Sequence, residues 1–234
     1  MQTDLVKALG TYRFGSSIDL STHQMNALIQ LFNQPTQSAE FTLGGRGSVL
    51  FTKLEGIGSI VVKFYTRGGF NRHFNKRTYL KLGSKTRCQI EYEMLNTVRT
   101  LNVMAPEPIV WACKGNLVYR GWLVTREVKQ QHTLAQLSRI DAGETSRAMD
   151  FVTVQVATLI EQSIHHVDLH PGNVLVDHKD RVYLLDFDKA HYTRKSTSHL
   201  RDKYLQRWQR AVVKHHLPTI LVEKLEQGLV GNGP

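Results

Sequence analysis

The chain has 234 residues, 41% of them hydrophobic, enough for one large domain or two small lobes and too apolar for wholesale disorder. Lys and Arg total 30 against 20 acidic residues, a formal charge of +10 that favours an anionic partner (nucleic acid, an acidic membrane surface or a phosphorylated substrate) without choosing among them. Two cysteines, Cys88 and Cys113, exclude a disulfide framework or a CxxC metal site and fit a reducing compartment; the opening MQTDLVKALGTYRFG lacks a signal-peptide core, and no stretch approaches the ~18 uninterrupted apolar residues of a membrane span.

Residues 1–38 are expected to form an N-terminal extension, in which MNALIQLF (25–32) has helical spacing and Pro35 helps end it. From Glu40 the texture turns β-like: EFTLGGRGSVLFTKL, a turn at EGIGS and then SIVVKFY predict two strands with short glycine-containing turns. A basic segment, TRGGFNRHFNKRTYLKLGSKTR (66–87), precedes the helical run CQIEYEMLNTVRTL, whose Ile90, Met94, Leu95, Val98 and Leu101 share one side. APEPIV is extended by its prolines, NLVYRGWLVTREV reads as a strand or hairpin, and TLAQLSRI as a short helix. A longer helix is expected over about residues 144–163, with Phe151, Val154, Leu159 and Ile160 among its buried positions. In HHVDLHPGNVLVDHKDRVYLLDFDKA, Pro171 and Gly172 force a loop, and two short apolar runs, VLVD and VYLLDF, flank the turn-forming HKDR. SHLRDKYLQRWQRAVVKHHL predicts a strongly basic amphipathic helix, and the terminal GNGP is expected to fray. The order is β-rich first and helix-rich second, which predicts an N-terminal lobe over 39–128, a catalytic lobe over 129–234 and a ligand cleft between them.

Asp168 and Asn173 sit five residues apart on one tight loop, and Asp186 ends a strand expected to pair with the strand leaving that loop. A hairpin of this kind brings two carboxylates and an amide oxygen into one small space. Oxygen ligands of this type suit Mg²⁺, which keeps company with phosphates, and a carboxylate free of metal can accept a hydroxyl proton as a nucleophile attacks.

HVDLHPGNVLVD followed by LLDFD resembles the catalytic and metal-binding segments of the protein-kinase-like superfamily, H-R-D-L-x-x-x-N and D-F-G. His166, Asp168, Leu169 and Asn173 fall on the first pattern, Asp186 and Phe187 on the second, and the HxDLHPGN form looks more like small-molecule kinases than protein kinases. The resemblance implies an α+β, two-lobed protein-kinase-like fold, with a β-rich N-terminal lobe, a helical C-terminal lobe and a nucleotide cleft. It also implies that Asp168 is the base or hydroxyl-orienting residue, that Asn173 and Asp186 hold Mg²⁺, and that His166 supports the loop. His170 is not needed as a metal ligand, since kinase-type Mg²⁺ does not need imidazole, and the resemblance leaves its role open.

Upstream, LGGRGSV (43–49) is a glycine turn in which Gly45 and Gly47 let backbone N–H groups approach the ATP phosphates closely. Val61, Val62 and Lys63 resemble the strand carrying the phosphate-contacting lysine, and the following helix offers Glu91 or Glu93 as its acidic partner. Glu91 is preferred, because it precedes the apolar helical face as in the family. TREVKQQHTL resembles the lobe connection, which puts Glu127 and Val128 where backbone groups meet adenine. Two departures stand out: Asp188 replaces the glycine of D-F-G, and no A-P-E motif or long activation segment follows, which argues against a peptide kinase.

More of the chain matches one family. GGRGSV, KFYTRGGFNRHF, IEYEML, APEPIV and HVDLHPGNVLVD–LLDFDKA, spread over roughly residues 40–215, look like the 3-deoxy-D-manno-octulosonic acid (Kdo) kinases of Gram-negative bacteria, in the lipopolysaccharide core kinase group. The resemblance implies an alcohol-group phosphotransferase that uses ATP and Mg²⁺ to phosphorylate a Kdo hydroxyl on a lipid A precursor, working peripherally at the cytoplasmic face of the inner membrane. Arg67, Arg72, Lys76 and Arg77 then form a substrate-binding patch, since arginine engages carboxylate and phosphate in bidentate fashion. The C-terminal helix either rests Arg201, Lys203, Arg207, Arg210 and Lys214 on anionic headgroups or packs within its lobe through Leu205, Trp208 and Val212. A heptose or other core-sugar kinase is the alternative within the class, and a pseudokinase binding anionic lipid or a partner protein is the alternative outside it. No nucleic-acid partner is expected, because RNA binding leaves the acidic constellation unexplained.

Overall fold

Alternation of side chains along YRFGS puts Tyr12, Phe14 and Ser16 on one buried face, and this pattern makes a strand of a segment read above as part of an extension. In the computed structural model, which describes residues 4–34, 48–65, 78–81, 83–129 and 131–231, strands β1 (Leu5–Leu9) and β2 (Tyr12–Ser16) pair antiparallel around Gly10 at φ +58°. Helix α1 (Thr22–Phe32) starts at a Ser21–Gln24 capping box and buries Met25, Leu28 and Phe32 at helical spacing. Its last residue, Phe32, stacks on Trp122 with ring centroids 4.5 Å apart.

The predicted hairpin forms β3 (Ser48–Leu54) and β4 (Gly58–Phe64), turned through Gly56 and Gly58, both at positive φ. A short β5 (Tyr79–Leu80) precedes α2 (Arg87–Thr100), and β6 (Pro108–Gly115) and β7 (Val118–Arg126) make a second hairpin. Gly115 is required there: its φ is +99°, and a Cβ would lie 2.3 Å from the Val118 carbonyl oxygen. The sheet is antiparallel in the order β1-β2-β6-β7-β4-β3, with β5 beside β7. Phe14, Leu28, Ile60, Val62, Val110 and Val124 are fully buried in its core. On α2, Met94, Leu95 and Val98 are buried as expected, but Ile90 is 42% exposed, because the inward stripe at that end runs through Glu91 and Tyr92 instead.

The second part of the chain begins with β8 (Gln131–Thr133) and α3 (Leu134–Leu137), capped by Thr133, and continues with α4 (Ala142–Glu161), capped by Asp141. On α4, Met149, Val152, Val156 and Leu159 are fully buried, while Phe151 and Val154, expected inside, are 55% and 60% exposed. The helix is apolar on more than one side there, and only one stripe meets the core. Then come β9 (Ile164–His165), β10 (Val174–Asp177), β11 (Val182–Leu184) and β12 (His191–Tyr192), arranged as a β11-β10-β8 sheet and a β12-β9 pair. Helix α5 (Thr197–Lys214) turns Tyr204, Trp208 and Val212 inward and leaves Leu205 half-buried; the Trp208 indole N–H donates to the Leu221 carbonyl at 2.8 Å. Helix α6 (Ile220–Gly231) packs on α4, where Gly228 leaves no room for a Cβ against Thr153.

The content is the mixed α+β of a two-lobed kinase-like fold, sheet-rich at the N-terminal end and helical in the C-terminal half. The chain divides into two units, Met1–Glu93 with Glu107–Glu127, and Met94–Pro106 with Val128–Pro234. Residues 5–32 therefore belong to the first unit's sheet and core. Among the described residues, no helix is long and apolar enough to cross a membrane.

Phe32→Ala is expected to cost about 3–5 kcal/mol in chemical denaturation, because it empties the stack on Trp122. Phe151→Ala, on the exposed side of α4, is expected to cost no more than roughly 0.5 kcal/mol. A loss in Phe32→Ala as small as that in Phe151→Ala would show that the N-terminal helix is not part of the core.

Candidate active site

In the first unit, β4 alternates Ile60, Val62 and Phe64 into the core, which turns Lys63 to the opposite face. Its Nζ donates to both carboxylate oxygens of Glu91, each at 2.8 Å. The Tyr65 hydroxyl, two residues on, also donates to Glu91 Oε2, and the Lys63 ammonium lies 5.3 Å from the Tyr65 ring centroid. Glu91 is only 2% exposed, so this buried carboxylate is held by a cation and a phenol together. Glu93 faces outward and pairs with Lys85. Glu127 closes the first unit with its N–H donating to the Ser59 carbonyl, and Val128 opens the second. Gly45, Gly47, Arg67, Arg72, Lys76 and Arg77 lie outside the described residues.

In the second unit, the loop from His166 to Asn173 is held by backbone and side-chain bonds at nearly every residue. The buried His166 donates from Nε2 to the Leu185 carbonyl at 2.8 Å, and its ring meets Phe187 edge-on at 4.5 Å. The His166 N–H donates to the Tyr204 hydroxyl, which in turn donates to the Ile164 carbonyl, both at 2.8 Å. Burial lowers the His166 pKa and raises that of Tyr204, so both stay neutral and serve as fixed struts. Pro171–Asn173 form one 3₁₀ turn, capped by His170, whose Nδ1 accepts from the Gly172 N–H at 3.1 Å. Burial, aided by the Arg207 guanidinium, lowers the His170 pKa to about 4, which excludes an imidazolium there at neutral pH.

Asn173 donates from its side-chain amide to the Asp168 carbonyl at 3.0 Å, and its Oδ1 has no hydrogen-bond partner among the described residues. The β10–β11 register, Val174 opposite Leu184, is extended one step by the Leu185 N–H donating to the Asn173 carbonyl at 2.9 Å. Asp186 thus follows directly on the residue paired with Asn173. It is exposed and sits at φ +63°, a left-handed conformation that costs a non-glycine residue of order 1–3 kcal/mol and is tolerated where function demands it. Phe187 is fully buried and anchors the strand end, and the Ala190 N–H closes a turn onto its carbonyl. Asp188 has no positive φ, so the glycine usual at its place is not required by the backbone.

Asp168 itself carries an ion pair that sequence reasoning missed. Arg207 of α5 donates to Asp168 Oδ1 from Nε at 3.0 Å and from Nη2 at 2.5 Å. Arg207 was grouped with the outward basic residues of its helix, yet it lies between the buried Tyr204 and Trp208, and that position beside the inward stripe was the available signal. Asp168, Asn173 and Asp186 are all hard oxygen donors of the kind a Mg²⁺ ion takes, and the orientation of Asn173, with its N–H engaged and its oxygen unengaged, fits that role.

The sequence model of the lipopolysaccharide kinase (Kdo/WaaP) family matches residues 35–228. Three relatives named 3-deoxy-D-manno-octulosonic acid kinase align with most of the chain. That of Vibrio parahaemolyticus serotype O3:K6 is 28% identical over 67% of this chain and 66% of its own length, just under two thirds. That of Photobacterium profundum is 30% identical over 73% of this chain and 71% of its own. That of Xylella fastidiosa (strain 9a5c) is 26% identical over 73% and 68%.

The His170 pKa is about 4 in the folded chain against an ordinary 6.5, so the unfolded chain binds more protons between those values. This contribution to stability is fully present above about pH 6.5 and is lost as pH falls towards 4. His170→Asn keeps a side-chain acceptor for the Gly172 amide and removes the titration. Its melting temperature is expected to fall less steeply than the parent's across that acid range; an identical slope would contradict the buried, neutral imidazole.

Proposed function

The chain belongs to the lipopolysaccharide kinase (Kdo/WaaP) family, and from that membership we propose that it transfers the γ-phosphoryl group of ATP to a hydroxyl of a Kdo sugar. The observation that carries this reading is the hairpin register that sets Asn173 beside the strand end bearing Asp186, on the loop that also carries Asp168. Asp168 receives the proton of the acceptor hydroxyl as its oxygen bonds to the γ-phosphorus and the bond to the departing ADP oxygen breaks. Asn173 Oδ1 and the Asp186 carboxylate would hold Mg²⁺, which neutralises charge on the phosphate oxygens. Lys63, fixed by Glu91 and Tyr65, contacts the ATP phosphates, and Glu127 and Val128 supply backbone groups for adenine. His166 and Tyr204 hold the loop so that Asp168 need not reorganise at the moment of transfer.

The relatives' name describes an acidic sugar, and we take the acceptor to be Kdo on a lipid A precursor. Lys203, Arg210 and Lys214 face outward on α5, a charge that supports peripheral contact with anionic lipid at the cytoplasmic face of the inner membrane.

The test is labelled ATP with a panel of lipid A precursors bearing Kdo or heptose. Label is expected on the Kdo-bearing acceptor, with turnover reduced at least about 10²-fold in Asp168→Ala while the melting temperature is retained. Undiminished turnover in that variant, or label on the heptose acceptor alone, would overturn the assignment.

A further inference from the structure

The Asp168–Arg207 pair is built asymmetrically. Both guanidinium bonds, from Nε and Nη2, land on the single oxygen Oδ1. A closed fork-to-fork pair would engage both carboxylate oxygens. Here Asp168 Oδ2 and Arg207 Nη1 have no hydrogen-bond partner among the described residues. The Arg207 side chain is 28% exposed and that of Asp168 is 43% exposed, so an acceptor oxygen and a donor edge remain open next to each other. The arginine is held in place by its helix, since Tyr204 is bonded to the His166 amide and Trp208 to the Leu221 carbonyl. His170 on the same loop is tied through Nδ1 to the Gly172 amide, and among the described residues Arg207 is the cation paired with Asp168.

A carboxylate base is a poor neighbour for an acidic acceptor, because like charges a few ångströms apart repel. A sugar acid reaching Asp168 needs a cation alongside, and a guanidinium with an unused N–H₂ edge is the group suited to a second carboxylate. Building on the sugar-kinase reading above, we infer that Arg207 is an acceptor-binding residue: its Nη1 edge takes the carboxylate of the sugar acid while its Nε/Nη2 edge stays with Asp168, which directs the acceptor hydroxyl towards Oδ2. A neutral sugar leaves the Nη1 edge unpaired, so the pair selects acidic over neutral acceptors.

Kinetics with two acceptors test this: a Kdo-bearing lipid A precursor and the same molecule with its sugar carboxylate converted to the carboxamide. The unmodified enzyme is expected to favour the acid by at least about tenfold in kcat/KM. Arg207→Ala is expected to bring the two acceptors to within about twofold, mainly by raising the KM of the acid, with the KM for ATP nearly unchanged. Arg207→Lys, which keeps the charge without the fork, is expected to recover part of the preference. Equal rates on both acceptors with the unmodified enzyme would overturn the inference without any variant. So would an equal loss on both acceptors in a folded Arg207→Ala, as for a purely structural residue, or a loss falling on the KM for ATP, as for a phosphate contact. Failure of the unmodified enzyme to phosphorylate either acceptor would overturn the kinase reading, and this inference with it.

Discussion

Antiparallel pairing of Val174–Val176 with Val182–Leu184 determines where every candidate catalytic atom of the second unit emerges. A slip of one residue would set the inward face of one strand against the outward face of the other and displace Asp186 and Phe187 from their places beside Asn173. The slip is resisted at both ends. At the turn, the buried Asp177 accepts from the Lys179 and Arg181 amides and from the Arg181 guanidinium, with Asp180 in the left-handed conformation. At the open end, Leu185 is bonded twice, its N–H to the Asn173 carbonyl and its carbonyl to the His166 ring. The His166–Tyr204–Ile164 bonds then fix the loop to α5, the helix that delivers Arg207 to Asp168. The residues that lock the register thus also place the candidate catalytic oxygens.

The first unit solves a separate problem, that of holding a lysine side chain in one orientation. Lys63 sits opposite the core face of β4, and the buried Glu91 takes it with both oxygens while Tyr65 satisfies the same carboxylate. Glu91 is almost wholly removed from water, so replacing Lys63 with a neutral residue leaves a buried carboxylate held by Tyr65 without this cation, which is destabilising. The pairing therefore constrains the rotamer of Lys63 more tightly than an exposed ion pair would.

Much of this was legible from local pattern. Asp168, Asn173 and Asp186 are tied by short spacing, a Pro-Gly turn and two apolar runs, so their convergence needs only a hairpin. Lys63 and Glu91 come from the resemblance of VVK and the helix after it to the kinase pattern, and the two side chains do pair. Other features depend on distant partners. Leu5–Leu9 is apolar at every position but Lys7 yet mostly exposed, and it becomes a strand only because β2 pairs with it and β2 in turn lies beside β6. Sequence reasoning missed helix α6 although Leu221, Leu225 and Leu229 recur at four-residue spacing, and its close approach to α4 depends on Gly228 against Thr153. Phe151 and Val154 have the composition of a core but lie off the stripe that meets it. Arg207 was hidden for the complementary reason: a charged residue on a basic helix looks solvated until its partner, 39 residues away in sequence, is known.

The two units thus bring to one chain a clamped lysine and a carboxylate–amide loop, in a family of lipopolysaccharide kinases. The claim on which the rest hangs is that the hairpin makes one cation site from Asn173 and Asp186. Paramagnetic broadening by Mn²⁺, in the presence of a non-hydrolysable ATP analogue, reads this directly on an isotope-labelled chain. The Asn173 side-chain amide and the backbone amides of Val174 and Phe187 are expected to broaden before other signals, and Asp186→Asn to abolish that order. Broadening centred elsewhere, or unchanged in Asp186→Asn, would contradict the account.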